Sequence, residues 1–270
     1  PELWNSPTLG GFAPNGFAGI SAGAAIIFFS YIGFDAVSTA SEEARDPGRD
    51  MPFGIIMSLV VCTILYIAMA IIMTGIAPWP KLGTPEPMIT ALALAKGSPH
   101  LLALSRFIVA FGAVVAMGSV LLVFQLGQPR IFMSMARDGL LPPFLARLHP
   151  RFKTPAVGTI LTGIFVGVFA AFANIAEVVD LTNIGTLFAF VIVSVGVIVL
   201  RRKEPDRHRP FRVPLVPITP LISIAACLYL MLQLPRITWI RFVIWLAVGL
   251  IIYFSYGVGH SRLRRRAEER

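Results

Sequence analysis

Seven stretches of this chain carry no charged side chain: Leu3–Phe34, Phe53–Pro80, Phe107–Pro129, Thr154–Ala176, Leu181–Leu200, Val213–Pro235 and Phe242–Gly259. Each is long enough for one membrane-spanning helix, which needs roughly 20 apolar residues at 1.5 Å rise per residue. The spacing predicts an all-α membrane protein. It forms a single transmembrane domain over 1–270, with spans at about 17–44 (a broken helix), 53–77, 100–128, 155–173, 178–200, 214–234 and 239–259. Composition agrees. Charged residues make up 14%, against about 25% in a soluble domain, so the chain lacks the polar surface to dissolve as a monomer. Hydrophobic residues at 56% and a mean hydropathy of +0.77 exclude disorder and collagen as well. No span is followed by a small-residue cleavage site, so none reads as a signal peptide. The start at Pro1, without Met and directly before a span, predicts a piece of a longer protein.

The charges that do occur are sorted by side. Of the 23 basic residues, 18 fall in the loops after the first, third and fifth stretches and in the C-terminal tail. The others are Lys81, Lys96, Arg106, Arg236 and Arg241. Lysine and arginine favour the cytoplasmic face, so the N-terminus is expected outside and the tail inside, in the plasma membrane. The net charge of +9 is then a property of cytoplasmic loops beside anionic lipid, with no nucleic-acid partner expected. The tail RLRRRAEER reads as a topology anchor. Residues 136–145 (ARDGLLPPFL) are expected along the membrane surface, and Lys153-Thr154-Pro155 as a helix start.

Enzyme chemistry finds no support. Cys62 and Cys227 sit inside apolar runs, where cysteine acts as a small packing residue rather than a disulfide or zinc ligand. His100, His149, His208 and His260 lie at span ends or in loops without an i, i+4 partner. No GxSxG, HExxH or phosphate loop is present, so neither a metal nor a cofactor is expected.

The unusual feature lies in the first span. Gly19, Ser21, Ala22, Gly23, Ala24 and Ala25 allow close helix packing. Ser30 and Gly33 follow at mid-depth, and then comes Asp35. An acid inside a span is unfavourable by roughly 2.5–3.5 kcal/mol on insertion scales and is functional by default. A break at Ser30–Gly33 leaves backbone carbonyls that can hold an ammonium group. The following half-helix then turns its positive dipole end to the same cavity. The other reading is a continuous helix, with Gly33 packing closely and Asp35 held by a neighbour.

Five motifs in fixed order decide more. Phe28–Pro52 (FFSYIGFDAVSTASEEARDPGRDMP) resembles the sixth transmembrane helix and following loop of the cationic amino acid transporter family, in the amino acid–polyamine–organocation superfamily. GQPRIFMSMARDGLLP (Gly127–Pro142), HPRFKTP (His149–Pro155), LTNIGTLFAF (Leu181–Phe190) and RRKEPDRHRPFRVP (Arg201–Pro214) are similar to later segments of it. The resemblance implies the second half of a five-plus-five inverted-repeat transporter fold plus two C-terminal helices. The first five helices would be missing partners. It implies a permease moving amino acids with protons by alternating access, and a chain that does not transport by itself.

Residue by residue, the resemblance makes Phe29 an aromatic lid and turns the carbonyls of Phe29 and Ile32 toward the substrate amine. Ser30 belongs to the same segment, and Gly33 permits the break. Asp35, with Tyr31, is placed in proton coupling or gating. Met117 and Ser119 in the third stretch are the expected side-chain pocket, beside Gly112 and Gly118, for which helix packing is the other reading. Thr182, Asn183, Gly185 and Thr186 either line an outer vestibule or pack helices. Glu42, Glu43 and Arg130 read as interloop ion pairs or an inner gate. Two other function classes stand beside the permease. One is a seven-helix receptor, which lacks its outer cysteine pair and carries Gln128-Pro129-Arg130 where Asp-Arg-Tyr is expected. The other is an inactive structural membrane subunit.

Overall fold

The structure is a computed structural model that describes residues 11, 13–84, 86–95 and 97–261. Among these there is no strand. Helix α1 is Gly16–Ile27. Two 3₁₀ segments follow, Phe28–Tyr31 and Asp35–Glu43. Then come α2 (Pro47–Ile76), α3 (Pro87–Leu94), α4 (Pro99–Arg137), α5 (Ala156–Phe172), α6 (Ile175–Lys203), α7 (Ile218–Leu232) and α8 (Arg236–Ile252). A π turn, Tyr253–Gly257, and a last turn, Val258–His260, extend α8.

Four helices are long and apolar enough to cross a bilayer: Pro47–Ile76, Pro99–Arg137, Ile175–Lys203 and Arg236–His260. Gly16–Tyr31, Ala156–Phe172 and Ile218–Leu232 are shorter apolar helices. The chain is an all-helical membrane protein of several spans. Local chemistry sets where helices stop. The expected span from 214 is helical only from Ile218, because Pro214 and Pro217 bias the residues before them away from the helical region. Helix α4 runs past the expected end at 128 to Arg137. It closes with Gly139 at φ +83, whose amide bonds the Ala136 carbonyl at 3.2 Å while the Leu140 amide bonds Met135 at 2.9 Å. This is a Schellman close, and it places the first two residues of the expected surface segment on the helix.

Contacts divide the chain into two units. One takes in Pro1–Ser21 and Phe53–Val123, the other Ala22–Pro52 and Phe124–Arg270. In the first, α3 packs on the 3₁₀ turn Trp79–Leu82. Arg106 of α4 reaches the Leu92 carbonyl near the end of α3 at 3.5 Å. None of the most apolar window of α2 or of α4 is buried. Large side chains such as Phe53, Ile64 and Phe107 lie exposed, so these faces require lipid or protein cover.

The second unit is built on α6. Asn174 caps it by accepting the Ala176 amide at 3.0 Å; Glu177 lies in the first turn and Arg201, Arg202 and Lys203 in the last, all matched to the helix dipole. Ala25, Ile184, Leu187, Cys227, Met231 and Leu234 form the core between α1, α6 and α7. In lipid, helices are held by close packing and hydrogen bonds, each of these worth about 0.6 kcal/mol on average. Four such links tie α6, α7 and α8 together. Ser194 bonds Ser223 at 3.2 Å, Thr238 bonds Asp180 at 3.3 Å, and Trp239 Nε1 bonds the Met231 carbonyl at 3.1 Å. Arg241 pairs with Glu177 at 2.8 Å. On the loop side, Gly48 comes so close to Pro210 that a Cβ would lie 2.7 Å from its Cβ.

Candidate functional site

The regular helix of the first apolar stretch ends at Ile27, short of the polar residues. From Phe28 to Tyr31 the chain tightens into a 3₁₀ turn, closed by the Ile32 amide on the Phe29 carbonyl at 3.1 Å. Ile32 is extended, at φ −62 and ψ 132. Gly33 then takes φ +121, which L-residues rarely adopt, so a glycine is required where the sequence predicts the break. The Phe29 carbonyl, expected to face a substrate amine, thus already accepts one backbone bond. It retains a second lone pair. The Phe29 side chain is 40% exposed and Ser30 is exposed, whereas Tyr31, Ile32 and Gly33 are half-buried.

Beyond the break the expected α half-helix is instead a nine-residue 3₁₀ segment, Asp35–Glu43. The hydroxyls supply the reason. Ser38 Oγ donates to the Asp35 carbonyl at 2.6 Å and Thr39 Oγ1 to the Ala36 carbonyl at 2.7 Å, both three residues back. Such bonds compete with the α-helical ladder. The half-buried Asp35 turns back on the break, where its Oδ1 accepts the Gly33 amide at 3.2 Å. In turn, the Gly33 carbonyl takes the Ala36 amide at 3.1 Å. The acid predicted to couple protons is therefore also the residue that holds the break in shape.

Helix α6 grips the break from one side. Asn183, Leu187 and Phe190, at i, i+4 and i+7, share one face. Phe190 receives Phe28 edge-on, with centroids 6.1 Å apart, and Phe34 at 5.6 Å, so one ring contacts both flanks of the break. Asn183 is fully buried. Its Nδ2 donates to the carbonyls of Ala25 and Ile26 at 3.1 and 3.4 Å. From α4, Phe124 approaches Gly33, its Cζ 3.6 Å from where a Cβ would stand. Phe190 and Phe124 were not singled out in the sequence, although Phe190 ends the LTNIGTLFAF motif.

Below the break, a cavity of about 630 Å³ opens between the Asp35–Glu43 segment, the end of α4 and the loop before α5. Ser38, Thr39 and Ser41 line it from one side, Arg130, Ser134 and Arg137 from another, and Lys153 and Thr154 from the third. Lys153 takes φ +55 there, a strained conformation for a residue with a side chain. Arg130, predicted at an inner gate or ion pair, thus lines this cavity. The side chains of Glu42 and Glu43 lie outside the described residues. Helix α5 closes on α4 nearby: Gln125 Nε2 donates to the Thr159 carbonyl at 2.7 Å, and a Cβ on Gly158 would lie 3.3 Å from Pro129 Cβ.

Met117 and Ser119 belong to the other unit. Both lie exposed on α4, and Ser119 Oγ donates to the Val115 carbonyl of its own helix at 2.9 Å. Within the second unit, the structure brings Phe29 to Asp35 together with α6. Thr182 bonds back to Val178 at 2.7 Å, a packing geometry. No group of three or more metal-ligating side chains occurs among the described residues.

The profile of the amino acid permease family matches residues 2–255. The chain belongs to the amino acid permease family. The methylthioribose transporter of Bacillus subtilis is 45% identical over 265 residues, covering 98% of this chain and 55% of that protein. The branched-chain amino acid permease BcaP of the same organism is 44% identical over 254 residues, covering 94% and 54%. The vacuolar cationic amino acid transporter 4 of Arabidopsis thaliana is 40% identical over 196 residues, covering 73% and 32%. The chain thus spans about half the length of the two Bacillus subtilis relatives. These relatives are named as transporters and permeases, not as enzymes or receptors, which favours neither the enzyme nor the receptor class.

Proposed function

We propose that this chain forms the second half of an amino acid permease that works by alternating access, with uptake coupled to protons. The observation that carries the reading is the interrupted first span. A 3₁₀ turn, an extended Ile32 and Gly33 at φ +121 put non-helical backbone inside an apolar stretch. Such backbone is tolerated at membrane depth only where it lines a cavity or is buried in protein. In transporters, broken helices of this kind hold the substrate.

In this proposal, Phe29 closes over the substrate, while the backbone at Phe29–Ile32 and Ser30 receives its amine. Tyr31 and Asp35 couple protons. The cavity of about 630 Å³ lined by Arg130 and Lys153 is the inner end of the path. Five further helices preceding this chain complete the site. All seven apolar stretches span the plasma membrane, with the N-terminal end of this chain outside and its tail inside.

The test is uptake by the protein expressed from its complete reading frame and reconstituted in liposomes. The panel is cationic, branched-chain and small neutral amino acids, together with methylthioribose, because relatives bear both kinds of name. An inward acid gradient is expected to drive saturable uptake of an amino acid. Uptake of methylthioribose alone, or uptake indifferent to the gradient, overturns the substrate or the coupling respectively.

A further inference from the structure

The most demanding polar group in the described core is Asn183. It is 0% exposed, and its side-chain hydrogen bonds use only the amide nitrogen. The Oδ1 atom is buried without a hydrogen-bond partner. A carboxamide half satisfied in an apolar core is unfavourable, and a leucine of similar size would pack there without that penalty. The residue is explained by what its two N–H groups do.

They meet a defined need. In an α-helix each amide bonds the carbonyl four residues back, in a 3₁₀ turn the one three back. Where one passes into the other, the register moves by one and a carbonyl is passed over. The change occurs between Ile27 and Phe28, and the carbonyls in its reach are those of Ala25 and Ile26. Asn183 donates to both, at 3.1 and 3.4 Å. One turn further along the same face, Leu187 is fully buried, and Phe190 holds Phe28 and Phe34 on either flank.

We infer that Asn183 is a positioning residue for the broken span: its carboxamide fixes the end of α1 to α6, so that a movement of α6 is passed directly to the Phe28–Gly33 segment. The inference rests on the permease reading for its transport consequence and on the geometry alone for its structural one. The unpartnered Oδ1 is part of the device. It is an acceptor beside the Ala25 and Ile26 carbonyls, ready for a donor when the segment changes shape, such as a water or a backbone amide released from its 3₁₀ bond. Asn183 touches no proposed substrate group itself. Its effect is on how well the break is held when the substrate arrives.

Two readouts separate this from plain packing. The first is hydrogen exchange of the complete protein in lipid nanodiscs, comparing Asn183→Leu with the unaltered protein. Peptides covering residues 25–34 are expected to exchange about ten-fold faster, the effect of losing hydrogen bonds to a buried turn, with α2 unchanged. The second is uptake per folded molecule, where KM is expected to rise several-fold while Vmax stays within a factor of about two. Unchanged exchange at 25–34 overturns the inference. So does faster exchange spread evenly over α2 and α6, which marks a general core residue, and so does an unaltered KM in a protein that transports. If the unaltered protein carries no amino acid, the permease reading has failed and the exchange result alone decides. Should the leucine variant not fold, Asn183→Ser takes its place, because the small hydroxyl keeps one donor. A local increase at 25–34 supports the assignment, and no increase overturns it.

Discussion

Replacing Gly33 with alanine tests the break most directly, because backbone and side-chain effects separate there. At φ +121 a side chain is strained whatever the space around it, and such residues are unfavourable by about 1–3 kcal/mol. Space itself is not the problem. An added Cβ would lie 3.6 Å from Phe124 Cζ, an ordinary contact. The reduced freedom of the unfolded chain returns about 0.4–1 kcal/mol. The net expectation is a loss of about 1–2 kcal/mol, borne by the Phe28–Ala36 segment. That corresponds to a roughly ten-fold smaller population holding the break in its observed shape. The control is Gly249→Ala in α8, where no heavy atom lies within 4 Å of the added Cβ and the backbone is helical. There alanine is expected to be neutral or to stabilise by up to about 1 kcal/mol. Thermal unfolding of both purified variants in one detergent, with uptake normalised to folded protein, gives the comparison. Equal melting temperatures and equal uptake in Gly33→Ala and Gly249→Ala would refute the claim that the break is built on a glycine-only conformation.

Further expectations follow from the loops and caps. Gly48→Ala brings a Cβ to 2.7 Å from Pro210 Cβ, so overpacking is expected to destabilise by about 1–3 kcal/mol, and Pro210→Gly on the same chain is expected to restore the melting temperature. Asn174→Ala removes the cap of α6 and is expected to lower stability by about 1 kcal/mol, while Asn174→Asp keeps the acceptor and most of the stability. For topology, a cysteine at residue 90 is expected to react with a membrane-impermeant maleimide added outside, and one at residue 207 only after the cells are opened. The reverse pattern sinks the proposed orientation.

Physical causes decide which parts of this structure were legible in sequence. The all-helical class was legible, because uncharged stretches of spanning length have few ways to satisfy their backbone in lipid. Gly33 was legible as a break point, since glycine alone takes its φ freely; the late start of α7 at Ile218 departs from the expected span from 214, because Pro214 and Pro217 disfavour helix before them. The 3₁₀ form of Asp35–Glu43 was missed. It depends on whether Ser38 and Thr39 turn their hydroxyls back onto carbonyls, and residue type alone leaves that choice open. The hydrogen bonds of Asn183 lie beyond sequence reasoning for another reason. Its partner Ala25 lies 158 residues away, and nothing local marks a polar residue on α6 as bound for that carbonyl. Residue type alone leaves Asn183 between lining a vestibule and packing helices. The grouping of Phe28 and Phe34 on Phe190 has the same long-range origin.

Asp35 is where the sequence and the structure pull on the same atom. The sequence marks it as an acid next to a break in an apolar stretch, suited to carrying a proton. In the structure its Oδ1 accepts the Gly33 amide at 3.2 Å, which is sufficient reason for a polar residue at this position. The two roles separate under Asp35→Asn. Asparagine keeps an Oδ1 at the same distance from the backbone, so the bond to Gly33 persists as a neutral one, weaker by about 1 kcal/mol. It does not exchange a proton. If Asp35 serves only the backbone, Asp35→Asn lowers stability slightly and scales uptake by one factor at every pH. If it also couples protons, the variant loses the pH dependence of uptake while substrate binding, held by backbone groups, changes little. Asp35→Ala supplies the reference, because it removes both the acceptor and the charge and is expected to loosen the break at all pH values. The deciding measurement is uptake per folded molecule from acid to neutral pH in all three proteins. A profile for Asp35→Asn parallel to that of the unaltered protein removes Asp35 from the coupling mechanism and leaves it as the residue that holds Gly33.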